Sequence, residues 1–245
     1  MSDNTQNDQL ILICGSSATG KSASLRNIRN QDKWLYMNTE AGKRLPFKNK
    51  FRIARVDDPY QVLQAFDYAI EHKDDVEGII VDSLTFLMEM YESKYVLTAA
   101  NGMRAWSDFQ QFFKELMQDK VIKFGKPVIF TAHTQRILNE NTGEYEVSVP
   151  IKGALKGNGI EAYFSCIVAA KKMPLKDLLH YKSDLLHIEP EDEAVGYKHV
   201  FQTKITKSTT GERIRGPMGL FSEQETFMDN DAQILLDHLT KFYND

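Results

Sequence analysis

An α/β fold with a mostly parallel, twisted sheet flanked by helices is what this 245-residue sequence predicts. Two observations carry that prediction. Short apolar runs alternate with helix-length segments along most of the chain, the pattern of strands that return in parallel through crossover helices. A loop of small residues, Gly15-Ser16-Ser17-Ala18-Thr19-Gly20-Lys21-Ser22, lies between the apolar run Leu10–Cys14 and a helix-compatible stretch, the strand–loop–helix junction at which such sheets hold phosphates.

Strand candidates follow in order at Leu10–Cys14, Trp34–Asn38, Phe51–Val56, Gly78–Asp82 and Val128–Ala132, then at Tyr163–Ala170 and His199–Ile205. Helices are expected over Lys21–Asn30, Pro59–His72, Leu84–Tyr95, Trp106–Phe124 and Asp231–Tyr243. Pro59 after Asp57-Asp58 is a helix start, because the fixed φ of proline suits a first turn. Leu84, Leu87, Met88, Tyr91 and Tyr95 recur at three- and four-residue spacings, as do Trp106, Phe109, Phe113, Leu116 and Met117. Each set makes one buried stripe. Val96–Arg104, Leu138–Asn158 and Leu175–Gly196 read as loops, the last carrying a solvated acidic segment, Glu189–Glu193.

The length suits one sizeable domain, residues 10–245, behind a polar tail, residues 1–9. No apolar run is long enough to span a membrane and the N-terminus has no signal-peptide core, so the cytoplasm is the expected compartment. Cys14 and Cys166 lie in apolar runs and read as buried thiols rather than a redox pair. The formal net charge of −4 does not advertise nucleic-acid binding. It does not exclude it either, because the relevant field is local to a groove.

The chemistry starts at the small-residue loop. Its glycines let the backbone curl around phosphates, and the freed amides supply positive potential. Lys21 is expected to reach the outer phosphates of ATP, and Ser22 to hold Mg²⁺. Asp82, ending an apolar strand 61 residues after Lys21, is the expected metal partner of Ser22; taken alone it would read as a helix N-cap. Ser83 follows it, where many ATPases carry the carboxylate that activates water, so a base must come from elsewhere or hydrolysis does not occur. Glu40, where the second strand runs out, is the candidate, against the alternative of a solvated surface residue. His133 ends the fifth strand at the edge where such sheets bind ligands, and is a candidate contact to the γ-phosphate; the other reading is a histidine satisfied by local backbone.

That order of motifs resembles the RecA-like recombinase core, and within it the compact phage ATPases of the Sak type, which anneal or pair single strands. The resemblance covers roughly Leu10 to Phe221 and rests on GSSATGKS, NTEAGKRLP, VDSL, VIFTAHT and KITKSTTGERIRGP. It implies a RecA-like P-loop core with antiparallel strands added at the C-terminal side, Glu40 as catalytic carboxylate and His133 as γ-phosphate sensor. It makes Val96–Arg104 and Leu138–Asn158 similar to two DNA-binding loops, with Arg104, Tyr145, Lys152 and Lys156 as candidate contacts to single-stranded DNA. It implies a homo-oligomer, ring or filament, with ATP between subunits, a trans-acting cation drawn from Lys204, Lys207, Arg213 and Arg215, and a single-strand DNA-binding protein as a further partner. The alternative for those four cations is a solvated basic hairpin. If phage-encoded, the chain would work in the host cytoplasm. It lacks an obvious N-terminal oligomerisation segment and an added DNA-binding domain, so annealing is expected rather than full strand exchange. Two other functions fit the P-loop alone: a small-molecule phosphotransferase, and a non-hydrolysing ATP switch that recruits a protein.

Overall fold

The computed structural model describes residues 7–140, 143–151, 153 and 159–244. Strand β1 (Leu10–Gly15) runs into the small-residue loop and a short 3₁₀ segment at Ser22–Asn27. Then come β2 (Trp34–Asn38), β3 (Arg52–Arg55), α1 (Tyr60–Glu71), β4 (Gly78–Asp82), α2 (Leu84–Tyr91), α3 (Gly102–Lys114), α4 (Val121–Phe124) and β5 (Val128–His133). The second half holds β6 (Gln135–Asn139), β7 (Glu144–Ser148), β8 (Cys166–Pro174), α5 (Leu175–Leu178), α6 (Pro190–Val195), β9 (Tyr197–Gln202), β10 (Phe227–Asp229) and α7 (Ala232–Asn244).

Among the described residues, eight strands form one sheet in the order β3-β2-β4-β5-β1-β8-β9-β10. Every pair from β3 to β8 is parallel, and β9 and β10 continue the sheet antiparallel. This is the expected P-loop NTPase core with its antiparallel C-terminal extension. Strands β1 and β4 are buried along their whole length, which explains their unbroken apolar runs: helices cover both faces, so neither face needs polar residues. Leu12, Val81 and Phe130 pack on one side under α1 to α4, while Ile11, Ile13, Ile80 and Ile129 pack on the other against Leu25 and Leu235, Leu236 and Leu239 of α7. Cys14 and Cys166 are free and buried on different strands, and burial pushes both thiols up to about 12. Among the described residues no helix is long and apolar enough to cross a membrane.

Several local expectations need correction. The helix expected over Lys21–Asn30 is a six-residue 3₁₀ segment. Ser24 turns its hydroxyl back onto the Lys21 carbonyl (2.6 Å), and the run ends where Ile28 leaves the helical region (φ −53°, ψ 126°). The helix expected from Trp106 starts at Gly102, because the Asn101 side chain accepts from the Arg104 amide (3.0 Å). One π-helical turn, Glu115–Lys120, carries it on to Phe124. The expected loop Leu138–Asn158 begins inside an antiparallel hairpin, β6 and β7, whose strands are five residues each and mostly exposed, with alternation only in β7. Glu189–Glu193 is solvated as expected but helical rather than loop. Glu189 caps α6 in a reciprocal capping box with Asp192, with Pro190 at the first turn. Strand β10 is three residues long, too short to show a period.

Gly78 pairs with Trp34 across β2 and β4, and a Cβ at Gly78 would overlap the Trp34 ring. Gly78→Ala is therefore expected to destabilise the fold by about 1–3 kcal/mol through overpacking, measured by chemical denaturation with an unchanged denaturant slope.

Candidate nucleotide site

The site is assembled where parallel strands end together. Register sets Gly15 beside His133 across β1 and β5, and Asn38 beside Asp82 across β2 and β4. Because β5 lies between β1 and β4, its last residue stands between the P-loop and the acid strand. Ala18 (φ 62°) and Gly20 (φ 97°) adopt left-handed conformations that turn the loop into an anion-binding concavity. The six-residue 3₁₀ segment behind it is too short to add a helix macrodipole, so the positive potential comes from the loop amides and Lys21.

Lys21 is buried and donates to the carbonyls of Gly15 (2.9 Å) and Ser16 (2.8 Å). Burial lowers its pKa, which Asp82 and Glu40 partly offset. Its ammonium also lies 3.4 Å from His133 Nδ1, and His133 Nε2 lies 3.4 Å from Glu40 Oε1. An ammonium can only donate, so Nδ1 is the acceptor and the Nε2–H donates to the carboxylate. His133 is itself braced: its amide donates to the Thr85 hydroxyl (2.9 Å) and the Phe86 ring meets it edge-on.

Glu40 is held in place by its neighbours on both sides. The Thr39 hydroxyl accepts from the Ser83 amide and donates to the Ser83 carbonyl, both at 2.7 Å, which ties the end of β2 to the end of β4. The Glu40 amide donates to Asn38 Oδ1 (3.0 Å), and Lys43 Nζ lies 3.0 Å from Glu40 Oε2. The hydrogen bond from His133, with the Lys43 contact, pulls the Glu40 carboxyl down to about 2 although burial opposes this.

Asp82 is 2% exposed and accepts hydroxyls from Tyr36 (2.7 Å) and Thr131. Burial, then Asp82, raises the Tyr36 phenol, so Tyr36 stays a donor. Ser83 is fully buried and is not among the residues that line the cavity. Asp82 and Ser22 line one cavity of about 840 Å³ with Lys21, Glu40 and His133. One buried carboxylate and one hydroxyl, both hard oxygen donors, fit Mg²⁺ held jointly with phosphates rather than in an all-protein cage. Bound there, Mg²⁺ would neutralise phosphate charge.

The structure thus brings Gly15–Ser22, Glu40, Asp82 and His133 together. It does not bring the other candidates to this cavity. Arg104 is exposed and faces Asp108 (3.9 Å), and Tyr145 lies on β7 under the Arg136 guanidinium. Lys204 pairs with Glu223 (3.3 Å) and Arg213 with Glu161 (3.2 Å), while Lys207 and Arg215 are exposed. Lys152 and Lys156 lie outside the described residues. Sequence reasoning missed Lys43 and Arg44, which line the cavity, although both stand in the phrase that singled out Glu40. It also missed the C-terminal wall, where Asn230 Nδ2 donates to the Gly20 carbonyl (3.1 Å) and Arg26 to the Asn230 carbonyl (2.9 Å).

A family model described as AAA domain matches residues 7–211. No curated protein matches the sequence significantly.

Because the folded Glu40 carboxyl lies below its unfolded value, its contribution to stability is full above the ordinary carboxylate range and is lost as pH falls towards about 2. Wild type is therefore expected to be more stable than Glu40→Gln near neutrality, with the two converging in acid, measured by denaturant midpoints across pH. A constant gap down to the acid limit would show that the carboxylate is not held as described.

Proposed function

The chain belongs to the AAA domain family and has a P-loop ATPase core, and from that premise we propose that it is an ATP-hydrolysing, single-strand DNA-binding protein whose nucleotide cycle is coupled to strand annealing, as in the Sak-type ATPases it resembles. In this reading Lys21 and the loop amides hold the phosphates, Ser22 and Asp82 hold Mg²⁺, and Glu40 orients the attacking water.

The observation that carries the coupling is the position of His133. It touches both Lys21 and Glu40, and it is the last residue of the strand that continues, after Thr134, into the β6–β7 hairpin. A phosphate that draws Lys21 away from His133 changes the hydrogen bonding at the root of that hairpin. On the hairpin the Arg136 guanidinium sits 3.9 Å from the Tyr145 ring centroid, and Tyr145 is half exposed. A cation stacked on an exposed ring is the pairing that holds a backbone phosphate and an unstacked base together. Gly211 packs tightly on the Tyr145 carbonyl, and the Val147 amide donates to the Gly211 carbonyl (2.8 Å), so the hairpin is anchored to the loop after β9.

Two measurements test this. ATP turnover in wild type is expected to rise with single-stranded DNA, and Glu40→Gln to lower it by about a hundredfold or more while nucleotide still binds. Phosphate found on a small molecule would replace this reading with a phosphotransferase, and binding without turnover would replace it with a switch.

For DNA, Arg136→Ala with Tyr145→Ala is expected to weaken single-strand binding by about 1–3 kcal/mol. The same change should reduce the magnitude of the salt slope by about 0.7. Unchanged affinity and slope in fluorescence anisotropy would remove the hairpin from the DNA surface.

A further inference from the structure

Glu40, Ala41, Gly42 and Lys43 form a tight turn: the Lys43 amide donates to the Glu40 carbonyl (3.0 Å), and Ala41 (φ 51°) and Gly42 (φ 79°) are both left-handed. The Asn38 side chain clamps both ends, accepting from the Glu40 amide (3.0 Å) and donating to the Lys43 carbonyl (2.8 Å). Asn38 is itself buried at the end of β2. The backbone of Lys43 is therefore fixed beside the site, while its side chain is 68% exposed and pairs with Glu40 (3.0 Å). Its ammonium ends a continuous chain of contacts, Lys43–Glu40–His133–Lys21, around the point where a γ-phosphate would meet Lys21.

We propose that Lys43 is a catalytic cation acting in cis: when ATP is bound, its ammonium exchanges the Glu40 carboxylate for γ-phosphate oxygens. The inference rests on the ATPase reading of the site. A terminal phosphate carries more charge than a carboxylate, so an ammonium within reach of both moves to the phosphate. The exchange does two things. It sets positive charge against the oxygens that carry charge in phosphoryl transfer. It also strips from Glu40 one of the contacts that hold its carboxyl down to about 2, so that Glu40 becomes a better proton acceptor. The water oxygen then bonds to the γ-phosphorus as the bond to the β–γ bridging oxygen breaks. The electron pair leaves with ADP, and the water proton passes to Glu40 and on to the released phosphate. Lys43 lines the same cavity as Lys21, Glu40 and His133. None of Lys204, Lys207, Arg213 and Arg215 lines the cavity, so any of them would need a second subunit to deliver it.

The test is single-turnover ATP hydrolysis by the full chain with Mg²⁺, over a wide range of protein concentration, alongside binding of a fluorescent ATP analogue. Lys43→Ala and Lys43→Gln are expected to lower the hydrolysis rate by about a hundredfold or more, with nucleotide affinity within about threefold of wild type. Lys43→Arg should recover part of the rate, and wild-type specific activity should not depend on protein concentration. Three results overturn the proposal while leaving an ATPase: Lys43→Ala turning over at the wild-type rate, Arg44→Ala alone abolishing turnover, or Lys43→Ala regaining activity on mixing with Glu40→Gln. A wild type that binds the analogue but never hydrolyses ATP overturns the ATPase reading, and this proposal with it.

Discussion

Parallel strand register is the constraint on which the rest of this molecule depends. Gly15, Asn38, Asp82 and His133 come from sequence positions more than a hundred residues apart at the extremes, yet they end four strands at one edge because the ladders of β1, β5, β4 and β2 are in step. Side chains alternate faces along a strand, so a one-residue slip in any ladder would turn its terminal group away from the cavity. The apolar residues Ile79–Val81 and Val128–Phe130 fix that register by filling both faces with layers that tolerate no alternative. Core packing is thus what sets the distances in the site, and the hydroxyl bridge from Thr39 to Ser83 refines them locally.

Given that placement, the site is a continuous string of donor–acceptor contacts: Lys43 on Glu40, His133 on Glu40, Lys21 on His133. The two ammonium groups in the string are groups that a phosphate would also attract. Lys21, being buried, has replaced water with two loop carbonyls, an exchange that leaves its charge only partly compensated. A polyanion entering the loop compensates it better, and every partner further along the string must then adjust. Lys21 is thus connected to Glu40 through the contacts of His133.

Much of this was legible in the sequence, for an identifiable reason. Strands β1, β4 and β5 are buried on both faces, so their apolar runs are continuous, and their polar terminal residues stand out against them. Asp82 and His133 were visible in that way, Gly15–Ser22 by its own residue pattern, and Glu40 by its place just after the second strand. What was not legible depends on long-range contacts. In the hairpin β6–β7, β6 (Gln135-Arg136-Ile137-Leu138-Asn139) does not alternate and β7 (Glu144-Tyr145-Glu146-Val147-Ser148) alternates over only five residues, a signal too short to stand out from a polar loop. The residues after Lys21 are compatible with α-helix by composition, and only the back-bond of Ser24 and the non-helical Ile28 mark the shorter segment. Lys43 and Arg44 read as ordinary surface cations until the turn after Glu40 folds them over the cavity.

The C-terminal strand and helix show why a core of this kind does not end where its motifs end. A six-residue 3₁₀ segment has too few internal hydrogen bonds to hold its own shape. Here it is held from outside. Arg26 and Asn27 bond to Asn230 and Asp231, the Arg29 amide donates to Gln233, and Leu25 packs in the layer that contains Leu235, Leu236 and Leu239. Asn230 also meets the Gly20 carbonyl, and His199 on β9 meets that of Thr19 (3.0 Å), so the outer rim of the phosphate loop is fixed by the antiparallel extension. Any Cβ at Gly20 would collide with Asn230, which ties the glycine to this packing as well as to its left-handed φ. Asn230 and α7 follow residue 211, where the family match stops. In this chain the geometry of a widely shared phosphate loop is therefore set, on its outer side, by residues that the family match does not cover.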